Sequence, residues 1–313
     1  MLVSVIIPLF NKAAHIEETV RSVLVQSYRK FELIVVNDGS TDRGPEIARS
    51  FKDPRVRVID QENAGVSAAR NRGISATRGE LVAFLDGDDL WNPDFLAAVL
   101  RLNRQYPLAG LYATAYQIRR RHRGLIDPQF KEIPSPPWEG IMPRYFRSAA
   151  LGKPPVCASA CCAPRHVLNE VGGFAAGRRM GEDLDLWARI ALRYPVAFST
   201  YKGAVYGQDA ENRACMTFGR KDEHPFFETA ERLQRTGGIS EQQADDVELY
   251  LTRLTIENIR QHVLAGDFDR ARELSRTLKK RWAFPIWRLI WGSPLSGFAR
   301  RIWYFRHVSL ERA

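Results

Sequence analysis

Leu81-Val82-Ala83-Phe84-Leu85-Asp86-Gly87-Asp88-Asp89 is an apolar run that ends in three carboxylates. A buried strand delivers its last side chains to a fixed place at the carboxyl edge of its sheet, and open α/β sheets bind ligands in the crevice outside that edge. Carboxylates gathered there repel one another and lose water, so a cation or a set of donors has to compensate them. Magnesium-type ions take one or two carboxylates and complete their shell with phosphate oxygens and water, which suits a phosphate-bearing substrate. A structural alternative exists for part of the cluster. Asp89 or Asn92, ahead of Pro93, could cap the helix that begins Pro-Asp-Phe-Leu. Capping accounts for one acid, not three.

Working outward, four β-rich runs occupy the first 90 residues: Val3 to Ile7, Phe31 to Asn37, Val56 to Asp60 and Leu81 to Leu85. Helical patterns separate them. Ile16, Val20, Val23 and Leu24 recur at the spacing of one buried helix face, with Glu17 and Arg21 outside it. Strands alternating with helices imply right-handed βαβ units and a parallel sheet covered on both faces. The loop after the first strand, Pro8-Leu9-Phe10-Asn11-Lys12, contains no glycine, so it is not a dinucleotide pyrophosphate cradle. A Gly-x-x-x-x-Gly-Lys-[Ser/Thr] loop is absent as well. A nucleotide site here has to be built from side chains.

Val36-Asn37-Asp38-Gly39-Ser40-Thr41-Asp42 repeats the arrangement of a buried strand ending in an acid and a glycine turn. Asp38 could accept hydrogen bonds from a base or a ribose hydroxyl, or the segment could be ordinary turn chemistry with Ser40 or Thr41 as a cap. Asn63-Ala64-Gly65 to Arg70-Asn71-Arg72-Gly73 puts small residues at a helix start. Arg70 follows inside that helix, where its planar fork could hold a diphosphate or pair with Asp38 or Asp86. Gly181-Glu182-Asp183-Leu184-Asp185-Leu186-Trp187 opens a helix with three carboxylates. They are a candidate catalytic base or a favourable complement to the helix dipole. Gly172-Gly173-Phe174 and Gly177 precede them in a basic loop suited to closing over substrate.

Between Arg101 and Pro164 the periodicity weakens, and we expect an excursion over the site. It carries Arg119-Arg120-Arg121-His122-Arg123, readable as a solvated hairpin edge or as a binder of an anionic acceptor, and the proline-rich stretch around Trp138. From Ser240 the chain turns helical. Ser240 with Gln243 has the form of a capping box, Val247, Tyr250, Leu251 and Leu254 form a stripe, and a turn at Ala265-Gly266-Asp267 leads to a second helix from Phe268 to about Lys280.

The 313 residues carry a net charge of +10, of which residues 1–100, with 12 basic against 14 acidic side chains, contribute none. The excess lies downstream. Cys157, Cys161, Cys162 and Cys215 match neither a C-x-x-C pair nor a zinc site and read as free thiols. Met1 leads straight into a strand-like run instead of a signal sequence, so a cytoplasmic location is expected. From Lys279 to Arg306 seven basic residues occur without an acid, among four of the seven tryptophans. Such a segment suits the headgroup level of an anionic membrane, although packing on the hairpin or on a partner subunit is the structural alternative. Only Leu289 to Ala299 is free of charge, too short to span a bilayer. No DNA or RNA motif accompanies the charge, so nucleic acid is not expected as a partner.

Taken in order, Ser4 to Asn11, Val36 to Asp42, Asn63 to Asn71, Leu85 to Asp89, Gly172 to Phe174 and Gly181 to Trp187 resemble the family 2 glycosyltransferases over roughly residues 3 to 207. The resemblance implies an α/β GT-A fold with a Rossmann-like, mostly parallel sheet and a C-terminal helical extension. It also implies a nucleotide-sugar donor such as a UDP-sugar, a divalent cation, Mn2+ or Mg2+, and inversion at the anomeric carbon. By position, Pro8 and Phe10 would border the base, Asp38 would take the base or ribose, and Arg70 would help hold the nucleotide. Asp86 would face the ribose, Asp88 would reach the metal, and Asp89 would be left to the helix start. Asp183 would be the base that activates the acceptor hydroxyl, with Glu182 the alternative.

The processive members' Gln/Arg-x-x-Arg-Trp motif fails at its first position in Leu278 to Trp282, which implies transfer of a single sugar. The expected division is a GT-A domain over 1–218 (donor half to about 117, acceptor half 118–218), a helical hairpin region over 219–280 and a basic aromatic tail over 281–313. The acceptor is expected to be a glycan or lipid-linked hydroxyl of envelope polysaccharide synthesis, reached from the inner face of the cell membrane; oligomeric state is left open. A nucleotidyltransferase and a non-catalytic nucleotide-sugar-binding scaffold are the alternatives.

Overall fold

The computed structural model describes residues 1–121, 123–178, 180–208 and 223–278. The chain runs β1 (Val3–Leu9), α1 (Ile16–Leu24), β2 (Phe31–Asp38), α2 (Gly44–Ser50), β3 (Val56–Gln61), α3 (Val66–Ala76), β4 (Leu81–Phe84), β5 (Leu90–Trp91) and α4 (Phe95–Gln105). It continues through β6 (Leu111–Arg120), β7 (Gly124–Ile126), β8 (Glu139–Ile141), α5 (Tyr145–Leu151), β9 (Cys161–Pro164), α6 (Arg165–Val171), α7 (Glu182–Arg193) and β10 (Val196–Gly207). Three helices follow: α8 (Phe226–Arg235), α9 (Glu241–Leu264) and α10 (Phe268–Arg276).

The sheet order is β3-β2-β1-β4-β9-β6-β10-β5. β1, β2, β3 and β4 are mutually parallel, as are β6 and β10. β9 is antiparallel to both of its neighbours, β4 and β6. Two reversals restore direction, so β6 and β10 point the same way as β1 to β4. One edge of the sheet therefore collects Phe10, Asp38, Asp86, Arg120 and Gly207.

β1, β2 and β4 are buried on nearly every residue because both faces are covered, whereas β3 at the sheet edge is only partly buried. Val5, Ile7, Leu33, Val35 and Ala83 enter one core with Ile16, Val20 and Val23 of α1 and the apolar face of α4. Ile6, Ile34, Val36, Val82 and Phe84 enter the other, with Phe174, Trp187 and the C-terminal helices. Val247, Tyr250 and Leu254 of α9 belong to that second core, so the helical extension packs on the α/β body. The Ser240–Gln243 capping box is present at the start of α9.

The stretch from Arg101 to Pro164 is not an excursion over the site. It supplies β6 and β9, two inner strands of the sheet. Ala113, Thr114, Ala115 and Cys161 to Ala163 are small residues buried on both sides, which removes the alternation that marks a half-buried strand. The arginine run does turn back as a hairpin, since β7 pairs with β6 through Arg120 and Gly124. Cys157, Cys161 and Cys162 are free thiols. Cys215 and the tail from Lys279 lie outside the described residues. Among the described residues no helix is long and apolar enough to cross a membrane.

Candidate active site

Interlocked loops shape one side of the carboxyl edge. Asn11 adopts a left-handed φ of 52°. From there its Oδ1 accepts hydrogen bonds from the backbone of Thr41 at 2.8 Å and Asp42 at 3.3 Å, tying the loop after β1 to the loop after β2. Phe10 stands beside this knot with its ring exposed, and Pro8 is partly exposed in the last turns of β1. Asp38 is 2% exposed. Its carboxylate accepts from Gln61 Nε2 at 2.7 Å and from the backbone N–H groups of Ala64 and Gly65, each at 2.9 Å. Three donors thus use Asp38 to fasten the loop that leads into α3. A base or ribose could take only the lone-pair direction they leave.

Arg70 is the centre of the site. It projects from α3 and is 3% exposed. One arm of its guanidinium donates to Asp86 Oδ1 at 2.6 Å and the other to Glu182 Oε1 at 2.8 Å, while the plane lies 5.1 Å from the centroid of Phe174. Burial alone would favour loss of its proton, but the carboxylates of Asp86, Glu182 and Asp183 outweigh burial and hold the proton more firmly than usual. Phe174, Phe84 and Trp187 pack edge-on or tilted beneath it at centroid separations of 5.2 to 5.9 Å. Asn71 fixes Phe174 from the next position of α3. Its amide donates to the Phe174 carbonyl at 2.8 Å and accepts from the Phe174 N–H at 2.9 Å. Gly173 has a φ of 64°, and a Cβ there would sit 2.6 Å from Asn71 Oδ1, so this loop closes only on glycine.

The three aspartates after β4 diverge. Asp86 spends one oxygen on Arg70 and has a side-chain exposure of 29%. Asp88 meets Lys12 Nζ at 2.6 Å. Asp89 is fully buried, with Oδ2 accepting from Ser159 Oγ at 2.5 Å and Oδ1 from Gly207 N at 2.7 Å. That corrects the expectation that Asp89 belongs to a helix start. Its carboxyl instead bridges β4, the 3-10 turn at Ala158–Ala160 and the end of β10. Burial first, then Asp86 and Asp88, push its pKa well above the carboxylate range. Ser159 also accepts from the Asp86 N–H at 3.0 Å, so one hydroxyl sets two of the three acids. No pattern around Ser159 in the sequence signals this.

At the start of α7 the acids also separate. Glu182, 7% exposed, is committed to Arg70. Asp185 is 2% exposed and accepts from Arg189 Nε at 2.8 Å and Thr229 Oγ1 at 2.7 Å, which joins α7 to α8. Asp183 has one oxygen on the Leu184 N–H at 2.8 Å and the other uncommitted among the described residues. Burial, then the neighbouring Glu182, raises its pKa to about 7 against the opposing pull of Arg70. Gly181, with φ 77°, leaves room for the His224 ring, which a Cβ would approach to 2.6 Å. Burial lowers the His224 pKa to about 4, so this imidazole is neutral at pH 7.

Among the described residues no group of three or more His, Cys, Asp or Glu side chains is poised to hold a metal ion. Asp86 and Asp88 each keep one oxygen outside their ion pairs, at the crevice of the sheet. Two such carboxylates fit a cation whose remaining shell is phosphate and water. Paired carboxylates, an arginine hub and a separate acid of neutral pKa, all at the carboxyl edge of an open α/β sheet, define a nucleotide-dependent transferase type of site.

Comparison with known proteins agrees with that class. The family model described as "Glycosyl transferase family 2" matches residues 4–172. The uncharacterized glycosyltransferase EpsJ of Bacillus subtilis is 50% identical over 90 residues, covering 28% of this chain and 26% of EpsJ. The uncharacterized glycosyltransferase RC0461 of Rickettsia conorii is 30% identical over 193 residues, 61% of this chain and 30% of RC0461. The matches thus span between a quarter and a third of these relatives' lengths. Among solved structures, S. aureus TarS 1-349 in complex with UDP-GlcNAc superposes with a TM-score of 0.64 at 19% identity, covering 91% of this chain and 79% of TarS 1-349. The fold is GT-A, and the chain belongs to glycosyl transferase family 2.

Proposed function

We propose that the protein is an inverting glycosyltransferase that moves one sugar from a UDP-sugar to a hydroxyl of a glycan or lipid-linked acceptor in envelope polysaccharide synthesis. The observation that carries the reading is Asp183: a half-buried carboxylate with one free oxygen and a pKa of about 7, beside an arginine that binds the cleft's other acids. A general base works best when its pKa lies near the operating pH. Asp183 takes the proton of the acceptor hydroxyl as that oxygen bonds to the anomeric carbon, while the bond to the nucleoside diphosphate breaks on the opposite face with its electron pair. Glu182 is unsuited to that step because Arg70 occupies it.

On the donor side, Phe10 offers a ring face and Pro8 a wall to the base, Asp38 keeps the adjoining loop in place, and Arg70 fixes Asp86 toward the ribose. A divalent cation, Mn2+ or Mg2+, held by Asp88 with Asp86 alongside, would neutralise the charge that develops on the diphosphate. Uridine as the base is supported by the TarS structures solved with UDP-GlcNAc and with UDP. The basic aromatic tail supports a peripheral station on the anionic inner face of the cell membrane. Co-sedimentation with anionic vesicles should therefore be lost on truncation after Thr277, and undiminished binding would refute that station.

The reaction is tested by screening nucleotide sugars for cation-dependent release of nucleoside diphosphate, with Asp88→Ala and Asp183→Asn in parallel. Release from the wild type that both variants lose is the expected result; release unchanged in both variants would sink the mechanism.

A further inference from the structure

The loop from β1 into α1 sets one lysine directly on Asp88. Lys12 Nζ meets Asp88 Oδ2 at 2.6 Å, and the two side chains are only 14% and 12% exposed. The backbone that carries this lysine is fixed. The Lys12 carbonyl accepts from the His15 and Ile16 N–H groups, each at 2.9 Å, and the next N–H, that of Ala13, donates to Asp42 Oδ2 at 2.7 Å. From that anchor the aliphatic stem crosses Gly87, where a Cβ would lie 3.5 Å from Lys12 Cγ and 3.7 Å from Lys12 Cβ. Thr19 of α1 donates to the Gly87 carbonyl at 3.2 Å. Thr19 already fastens the backbone of the Asp86–Asp88 turn, so what Lys12 adds there is charge.

That charge falls where a cation would bind. Asp86 and Glu182 share Arg70, at 2.6 and 2.8 Å. Asp89 turns away to Ser159 Oγ and the Gly207 N–H. Asp86 and Asp88, the two carboxylates that face the crevice, thus each hold a positive side chain already. A divalent cation reaching the second oxygen of Asp88 comes within a few ångströms of the Lys12 ammonium. Like charges at that range in a largely buried site repel strongly, so these carboxylates alone retain such a cation poorly. A diphosphate brings negative charge from the open side of the crevice and reverses the balance.

We propose that Lys12 is a positioning residue of the donor site: as the internal counter-ion of Asp88 it keeps free divalent cations weakly bound and makes cation binding depend on the nucleoside diphosphate. The inference rests on the transferase reading above and adds how that site is regulated. Lys12 acts through Asp88, on whose Oδ2 it stays while the other oxygen is left to the cation. Coupling of this kind is reciprocal: the factor by which the nucleotide tightens the cation is the factor by which the cation tightens the nucleotide. Lys12 therefore sets how strongly donor binding depends on the cation.

The test uses the full chain. Mn2+ binding without nucleotide is read by electron paramagnetic resonance, and UDP binding by calorimetry with and without Mn2+, with allowance for the Mn2+–UDP complex formed in solution. Lys12→Met keeps an apolar stem over Gly87 and removes the charge, and it should bind Mn2+ alone roughly tenfold or more tighter than the wild type. Lys12→Arg retains the charge and should stay near the wild type, and the gain should vanish in the double variant Lys12→Met, Asp88→Asn. The factor by which Mn2+ tightens UDP should shrink in Lys12→Met. A pair that merely braces the turn predicts the opposite sign, because loss of Lys12 would loosen Asp88 and weaken Mn2+ binding. Unchanged or weaker Mn2+ binding in Lys12→Met would overturn the proposal. If that variant does not fold, the wild type decides, and Mn2+ bound alone as tightly as in the presence of UDP overturns it. Failure of the wild type to bind UDP with Mn2+ would instead strike the transferase reading.

Discussion

Arg70 neutralises two carboxylates from different parts of the chain, Asp86 after β4 and Glu182 at the start of α7. Removing one member of a buried ionic group leaves charges without a partner, a loss of about 3–5 kcal/mol. Arg70→Ala should therefore lower the urea midpoint strongly, and Arg70→Lys should recover only part of it, because one ammonium cannot fork to both acids. Asp183 has the opposite character. Its pKa is raised from 3.8 to about 7, so between those values the native state keeps a proton that the unfolded chain has lost. Stability contributed by this group is full at low pH and declines as pH rises to about 7. Asp183→Asn should thus melt higher than the wild type at pH 8 while losing about 100-fold or more in transfer rate. Wild-type turnover should rise with pH through about 7; a flat profile would exclude Asp183 as the base. Asp89 gives a third contrast. Burial and the neighbouring Asp86 and Asp88 favour its neutral form, and a neutral Asn can meet the same two partners. Asp89→Asn should remain folded, whereas Asp89→Ala strands the Gly207 N–H and the Ser159 hydroxyl at about 1–3 kcal/mol.

At the scale of elements, the glycine loop before α7 is held by Asn71 through paired bonds to the Phe174 backbone and by Arg189, which donates to the Gly173 carbonyl at 2.7 Å. Asn71→Ala should release Phe174 from beneath Arg70. The expected signs are faster proteolysis within residues 172–181 and weaker nucleotide binding, with α3 itself intact; unchanged proteolysis would show that Arg189 and the ring packing fix the loop instead. What the sequence reveals follows the same physics. β1 to β4 are legible because long apolar runs between turn signals have one sensible fate in an α/β layer. β6 and β9 are not, since Ala113, Thr114, Cys161 and Cys162 are small and carry no period. Asp86, Asp88 and Asp183 are legible through ordered motifs near an element's end, and Arg70 through the small residues that open its helix. The fate of Asp89 is not, because an acid beside two others is identical in sequence whether it caps a helix or receives Ser159 from 70 positions away.

At the scale of the molecule, the first and second halves of the chain share one core and one ion-pair hub. Ile6 and Phe84 from the first half meet Phe174, Trp187 and Tyr250 from the second, and Arg70 reaches 112 positions along the chain to Glu182. Neither half keeps a complete core without the other, so the described residues should unfold together instead of in two steps. A ligand that binds only the native state then protects all of it. UDP with Mn2+ at about 100 times its dissociation constant adds about 2.7 kcal/mol, a rise of roughly 4 °C in melting temperature for a chain of this size. Asp88→Ala should abolish the cation-dependent part of that rise, because it removes the oxygen that the Lys12 pair leaves open to a cation. Calorimetry decides the matter. A single transition that moves as one with ligand supports a shared core. If one transition moves and a second stays fixed, α8 to α10 are an independent unit.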